Sequence, residues 1–99
     1  MEPPRGFAWD PEKHRQNRLK HKVDFFDVLG IFDNPMIYCD DLPDDGQEVR
    51  ERVLGFANFQ VYFVVFTRRG PDIRLISARK AVQREAEIYY NAHFGDPHS

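Results

Sequence analysis

One cysteine, Cys39, stands among 99 residues. An internal disulfide is therefore excluded, and a reducing, cytoplasmic setting is expected, with Cys39 serving as a small apolar group. Long hydrophobic runs are equally scarce. The longest, Val61 to Phe66, is far too short to span a bilayer. Met1-Glu2-Pro3-Pro4-Arg5-Gly6 holds no apolar stretch of the kind a secretory signal needs, so no membrane association is expected. The histidines His14, His21, His93 and His98 lack the tight spacing of a zinc site, and the carboxylates between Asp40 and Asp45 lack the alternation of a calcium loop. Neither a metal nor another cofactor is expected. Internal repeats and low-complexity segments are absent too.

What is present is enough for one hydrophobic core. A chain of this length cannot be divided into two units that each bury sufficient surface, so residues 1–99 are read as a single domain with its core over about 7–92 and flexible ends. With 41% hydrophobic and 14% aromatic residues, disorder of the middle is excluded. A net charge of -2 argues against a general nucleic-acid coat protein, but the charge is segregated. Asp40, Asp41, Asp44, Asp45, Glu48 and Glu51 face only Arg50 in one segment. In another, Arg68, Arg69, Arg74, Arg79, Lys80 and Arg84 face only Asp72.

Hydrophobic periodicity places the elements. Phe7-Ala8-Trp9 has strand propensity, and Asp10-Pro11 supplies a cap and a first helical residue for a polar helix through Lys22. Asp24 caps a second helix whose stripe is Phe25, Val28, Leu29 and Phe32. Asp33-Asn34-Pro35 ends it, Met36 to Cys39 is a short strand, and the acidic Asp40 to Gly46 segment is an exposed loop. Glu48 to Phe56 changes to a period of two, Ala57-Asn58-Phe59 turns, and Gln60 to Thr67 reads as a strand buried on both faces. After the turn Arg69-Gly70-Pro71-Asp72 a third long strand covers Ile73 to Ala78, and Ala81 to His93 is helical. The fold class is α+β: an antiparallel sheet with two N-terminal helices and one C-terminal helix.

Four patches then carry a resemblance: Trp9-Asp10-Pro11-Glu12-Lys13; Asn17 with Lys20-His21; Glu48-Val49-Arg50 with Gly55; and Ile73-Arg74-Leu75-Ile76-Ser77-Ala78-Arg79-Lys80-Ala81 with Glu85 and Tyr89. Together they resemble BrnT, the toxin family of the BrnT/BrnA type II toxin–antitoxin system, over roughly residues 7 to 90. The resemblance implies a RelE-like fold and a ribonuclease that cleaves RNA and arrests translation and growth. It also implies a BrnA-type antitoxin partner, a ribbon-helix-helix protein that binds DNA while it covers the toxin in a hetero-oligomer. Two positions depart from the family pattern. Thr67-Arg68-Arg69-Gly70 has Arg68 where an acidic residue is usual, and Lys22 stands where the family commonly has glycine. Arg68 motivates an alternative, a homologue weakened in catalysis that acts mainly as an antitoxin-binding co-repressor.

Metal-independent RNA cleavage needs a base for the 2′-hydroxyl, an acid for the leaving 5′-oxygen and cations for the phosphate charge. His21 titrates near neutrality, and Lys20 beside it either tunes it or holds phosphate; the pair could equally just end a helix. Arg69, Arg74 and Arg79 suit bidentate phosphate binding. Arg74, placed by strict alternation on one face with Ile76, could instead form a structural ion pair with Glu85 or Glu48. Arg79 lies at a strand-to-helix junction, where phosphate could also meet a helix N-terminus. Glu85 sits on a helical stripe where a carboxylate must pair or catalyse, and Tyr89 one turn on either joins it at the site or belongs to the core. Glu48 and Arg50 are read as a cross-strand pair.

Overall fold

The computed structural model describes residues 3–39 and 49–94. After a two-residue strand β1 (Phe7–Ala8), Asp10 is extended and its carboxylate accepts the Glu12 N–H at 2.9 Å, so helix α1 (Pro11–His21) begins at the expected cap. It ends on Lys22, which is left-handed at φ 60° and donates its N–H to the Arg18 carbonyl. The family departure at Lys22 thus falls on a backbone position that glycine suits best.

So polar a sequence predicts an exposed helix held by few contacts. Two of its polar residues bury themselves instead. His14 stacks on Phe25 beside Trp9 and bonds Asp24 through Nε2 at 2.8 Å, and Asn17 reaches the sheet. Asp24 also accepts the Phe26 N–H at 2.9 Å and so starts α2 (Phe25–Val28). The second helix differs from its expected form. It tightens after one turn into a 3₁₀ segment, Leu29–Asp33, and at three residues per turn Ile31 joins Phe25 and Val28 as fully buried, while Leu29 and Phe32 of the expected stripe pack partly buried against the same core.

Four further strands follow: β2 (Ile37–Tyr38), β3 (Glu51–Ala57), β4 (Gln60–Arg69) and β5 (Asp72–Lys80). Their order is β1-β5-β4-β3-β2, with β4 in the middle. The expected antiparallel meander of β3, β4 and β5 is present, but the sheet as a whole is mixed, because β1 lies parallel to β5 with Phe7 opposite Ile73. Local periodicity says that Phe7–Ala8 is extended; it carries no information about the direction of a partner 66 residues away. Asn58 and Phe59, at φ 51° and 60°, make the tight β3–β4 turn, and Asn58 Nδ2 ties it to the Asp27 carbonyl at 2.7 Å.

Helix α2 and the 3₁₀ segment cover one face of the sheet over Val53, Val64, Phe66, Leu75 and Ala78, and α1 lies along β5. Helix α3 (Gln83–His93) covers part of the other, over Leu54 and Val61. Within β5 the alternation breaks: Val65 faces Ser77 and Phe66 faces Leu75, leaving Ile76 as the extra residue of a β-bulge. Leu75 therefore joins Ala78 in the core, and Arg74 lies on the face of Ser77. This corrects the expected sharing of a face by Arg74 and Ile76. The acidic segment from Asp40 to Gly46 and Glu48, with its expected pairing to Arg50, lie outside the described residues.

A Cβ on Gly55 would sit 2.6 Å from Ile31 Cβ and 2.9 Å from its Cγ2. Gly55→Ala is expected to cost about 1–3 kcal/mol and to lower the thermal midpoint by at least about 5 °C; an unchanged midpoint would mean that Ile31 moves aside. Lys22→Gly, by relieving the left-handed strain, is expected to gain about 0.5–1 kcal/mol. A midpoint that fails to rise would refute that account of the helix end.

Candidate active-site cleft

Asn17 faces β5 from the middle of α1. Its Nδ2 donates to the carbonyls of Val23 at 2.9 Å and Ala78 at 2.8 Å, and its Oδ1 accepts the Ala78 N–H at 3.0 Å. The carboxamide thus does for the β5 edge what a neighbouring strand would do. The same edge is paired with β1 at Ile73 and Arg74. At Ile76 and Ser77, between these two attachments, α1 and β5 leave a cleft of about 290 Å³. From α1 it is lined by Lys13, Asn17, Lys20 and His21, together with Glu12 and Gln16. Bulges commonly mark such places, because the extra residue re-aims the side chains around it.

His21 is the titratable group in this cleft whose state decides its chemistry. Partial burial, and then the positive charges of Lys20 and Arg79, hold its imidazole below the ordinary histidine value of 6.5. At neutral pH it is therefore uncharged and able to accept a proton. Glu12 brings a carboxylate to the same cleft, but hydrogen bonds from Arg15 and Gln16 hold it at about 2, so it stays ionised. The hydroxyl of Ser77 has no side-chain partner among the described residues.

Arg79 stands close enough to repel a proton from His21, yet its guanidinium is already engaged. Nη1 and Nη2 donate to Glu85 Oε1 at 2.8 Å and Oε2 at 3.0 Å, and the group lies 4.4 Å over the Phe63 ring. Glu85 also accepts the Val82 N–H at 2.9 Å at the start of α3. Its carboxyl is held below the usual range by the Arg79 bonds, against the effect of burial and with help from Val82. Glu85 thus fixes an arginine, as its place on the helix suggested, but that arginine is Arg79 and not Arg74. Arg74, opposite Thr67, is half-buried with no hydrogen bond or ion pair to a described residue.

Two of the expected residues lie elsewhere. Arg69 is paired with Asp72 at the far end of the β4–β5 hairpin, four residues along β4 from Val65 and Ser77. Tyr89 is buried beneath α3, stacked on Phe56, and donates its hydroxyl to the Pro35 carbonyl at 2.7 Å. The cleft adds residues not singled out as chemical: Lys13, Asn17, Ile76 and Ser77. Asn17 and Ser77 stand in the patches that carry the resemblance, and their residue types alone gave no reason to choose them. Arg68, the charge reversal, donates to Glu51 at 2.7 Å and to the Tyr38 hydroxyl at 3.2 Å, and does not line the cleft. Among the described residues, no cluster of three or more His, Cys, Asp or Glu side chains is arranged to hold a metal, and no helix is long and apolar enough to cross a membrane.

The family model for BrnT, the ribonuclease toxin of type II toxin–antitoxin systems, matches residues 9–85. The chain belongs to the BrnT family. No curated protein matches it. The matched span runs from Trp9 through α1, the whole sheet beyond β1 and the cleft, and it ends on Glu85, the partner of Arg79.

The surroundings of His21 make a measurable prediction. In an NMR titration its imidazole should show a midpoint below 6.5, and Lys20→Ala should move that midpoint upward by removing a repelling charge. A midpoint above the free value, or one indifferent to Lys20, would contradict the described electrostatics.

Proposed function

We propose that this BrnT-family chain is a metal-independent endoribonuclease that cleaves RNA in the cleft between α1 and β5, and thereby arrests translation and growth. The observation that carries this reading is His21 lining an open cleft with Lys20 beside it, its imidazole held below the ordinary histidine value by partial burial and by Lys20 and Arg79. In the first step His21 takes the proton of a ribose 2′-hydroxyl. The 2′-oxygen attacks phosphorus, the bond to the 5′-oxygen breaks, and that oxygen takes a proton from the Lys20 ammonium, leaving a 2′,3′-cyclic phosphate. Arg79, held by Glu85, supplies positive charge beside the phosphate as it becomes pentacoordinate. Tyr89 supports this arrangement from the core by seating α3, and Arg69 lies outside the cleft.

In this reading the toxin works in the cytoplasm and has a RelE-like architecture. It is neutralised by a BrnA-type ribbon-helix-helix antitoxin, which covers the cleft in a hetero-oligomer and alone touches DNA. Charge complementarity favours an acidic antitoxin segment over the arginine-bearing face. The co-repressor alternative draws on Arg68, whose pairing with Glu51 and Tyr38 outside the cleft gives no reason for lost catalysis.

Induction of the chain alone in a bacterium is expected to stop growth with RNA breakdown, and co-expression of the antitoxin to restore growth. His21→Ala is expected to lose arrest and cleavage with a thermal midpoint within a few degrees of the parent. In vitro, cleavage should rise as pH increases through the depressed His21 value and then level off, since the base must be unprotonated. Continued growth with intact RNA while the parent protein accumulates would sink the toxin reading. Growth arrest without cleavage would favour a non-catalytic block of the ribosome.

A further inference from the structure

Residues on alternate positions of a strand share a face, so Phe63, Val65 and Thr67 of β4 lie together on the side away from α2 and the 3₁₀ segment. Their partners on β5 are Arg79, Ser77 and Arg74. The three polar side chains therefore form a row, and the bulge at Ile76 is what brings Arg74 into it: with unbroken alternation Arg74 would point at the helices. Helix α3 packs on β3 and β4 around Leu54 and Val61, toward the Arg79 end of the row.

The cations at the two ends of this row are not alike. Arg79 donates two hydrogen bonds to Glu85 and so has a carboxylate partner. Arg68 has Glu51 and Arg15 has Glu12. Arg74 is half-buried and has no carboxylate among the described residues. A guanidinium offers five N–H donors and no acceptor, so one without a carboxylate beside it is suited to receive an anion.

We propose that Arg74 is a second phosphate subsite, which grips the backbone phosphate next to the scissile one in a single-stranded RNA. This rests on the reading of the cleft as the place of RNA cleavage. Thr67 and Val65, opposite Arg74 and Ser77, are two residues apart on β4, or about 7 Å at ~3.4 Å per residue, the order of one nucleotide step in an extended strand. The contact is bidentate and blind to base identity, so it selects for strand length and not for sequence. The favoured substrate is then a single strand with at least one nucleotide beyond the cut linkage.

The test uses the purified full chain, an RNA oligonucleotide whose cut position has been mapped, and versions in which one phosphate at a time is made a neutral methylphosphonate. In the parent protein, neutralising one phosphate adjacent to the cut should raise KM about tenfold with little change in kcat. Arg74→Gln should raise KM for the all-phosphate RNA by a similar factor, and the adjacent methylphosphonate should then have no further effect. Its binding should also lose about 0.7 from the slope of log affinity against log salt. Arg74→Lys, which keeps a charge without the fork, should fall between, and it serves if the glutamine variant folds poorly. Effects that simply multiply at every phosphate would overturn the subsite, as would a fall in kcat with KM unmoved. A variant that cleaves normally but binds antitoxin weakly would also overturn it, and would make Arg74 an antitoxin contact. If the parent chain cuts no RNA at all, the reading of the cleft fails with it; cutting without coupling sinks the subsite alone.

Discussion

The three hydrogen bonds of one buried carboxamide organise this molecule. Asn17 joins the end of α1, through the Val23 carbonyl, to both polar groups of Ala78 on the exposed edge of β5. Each group it satisfies would otherwise be buried without a partner, at about 1–3 kcal/mol apiece. No buried side-chain polar atom among the described residues lacks a partner. The same clamp sets how far α1 stands from β5, and so the width of the cleft and the approach of His21 to Arg79. A helix with almost no apolar face is thus held by polar bonds, and its polar surface stays free for chemistry.

Electrostatics around that cleft follow from which charges are already paired. Glu85 binds Arg79 through both oxygens and also caps α3, so one carboxylate couples the end of the sheet to the last helix. Glu51 pairs with Arg68 through one oxygen, which offsets that charge outside the cleft. Lys20 and Arg74 are left without such partners among the described residues. Positive charge is therefore concentrated along α1 and β5 although the whole chain carries a net charge of -2. Partial burial, and then Lys20 and Arg79, hold the His21 imidazole below its ordinary value.

Close approach of backbone elements decides the rest. Ile31 inserts toward the sheet where Gly55 has no side chain, which draws the second helix into a 3₁₀ turn. The bulge at Ile76 lets Leu75 fill the core while Arg74 faces outward. Both are adjustments of a fraction of a turn or of one residue, and both change which side chains meet.

Much of the architecture was legible in the order of residues. Asp10-Pro11 and Asp24 mark helix starts because a side-chain oxygen can reach a free N–H only there. The period of two from Glu48 onward, the β-branched run of β4 and the Asn58 and Gly70 turns specify the meander, since alternation and left-handed turns are local properties. The patches around Lys20-His21 and Arg74 to Arg79 carried the family resemblance and hold four of the residues that line the cleft, Lys20, His21, Ile76 and Ser77. What periodicity could not supply was anything that depends on contact across the chain. The parallel pairing of β1 with β5, the bulge that turns Arg74, the choice of Arg79 over Arg74 as the partner of Glu85, and the burial of Tyr89 against Pro35 all join residues distant in sequence or in register. Residue types and spacing determine which elements form and which charges exist; the close packing of those elements alone decides which charges are paired and which remain free to bind.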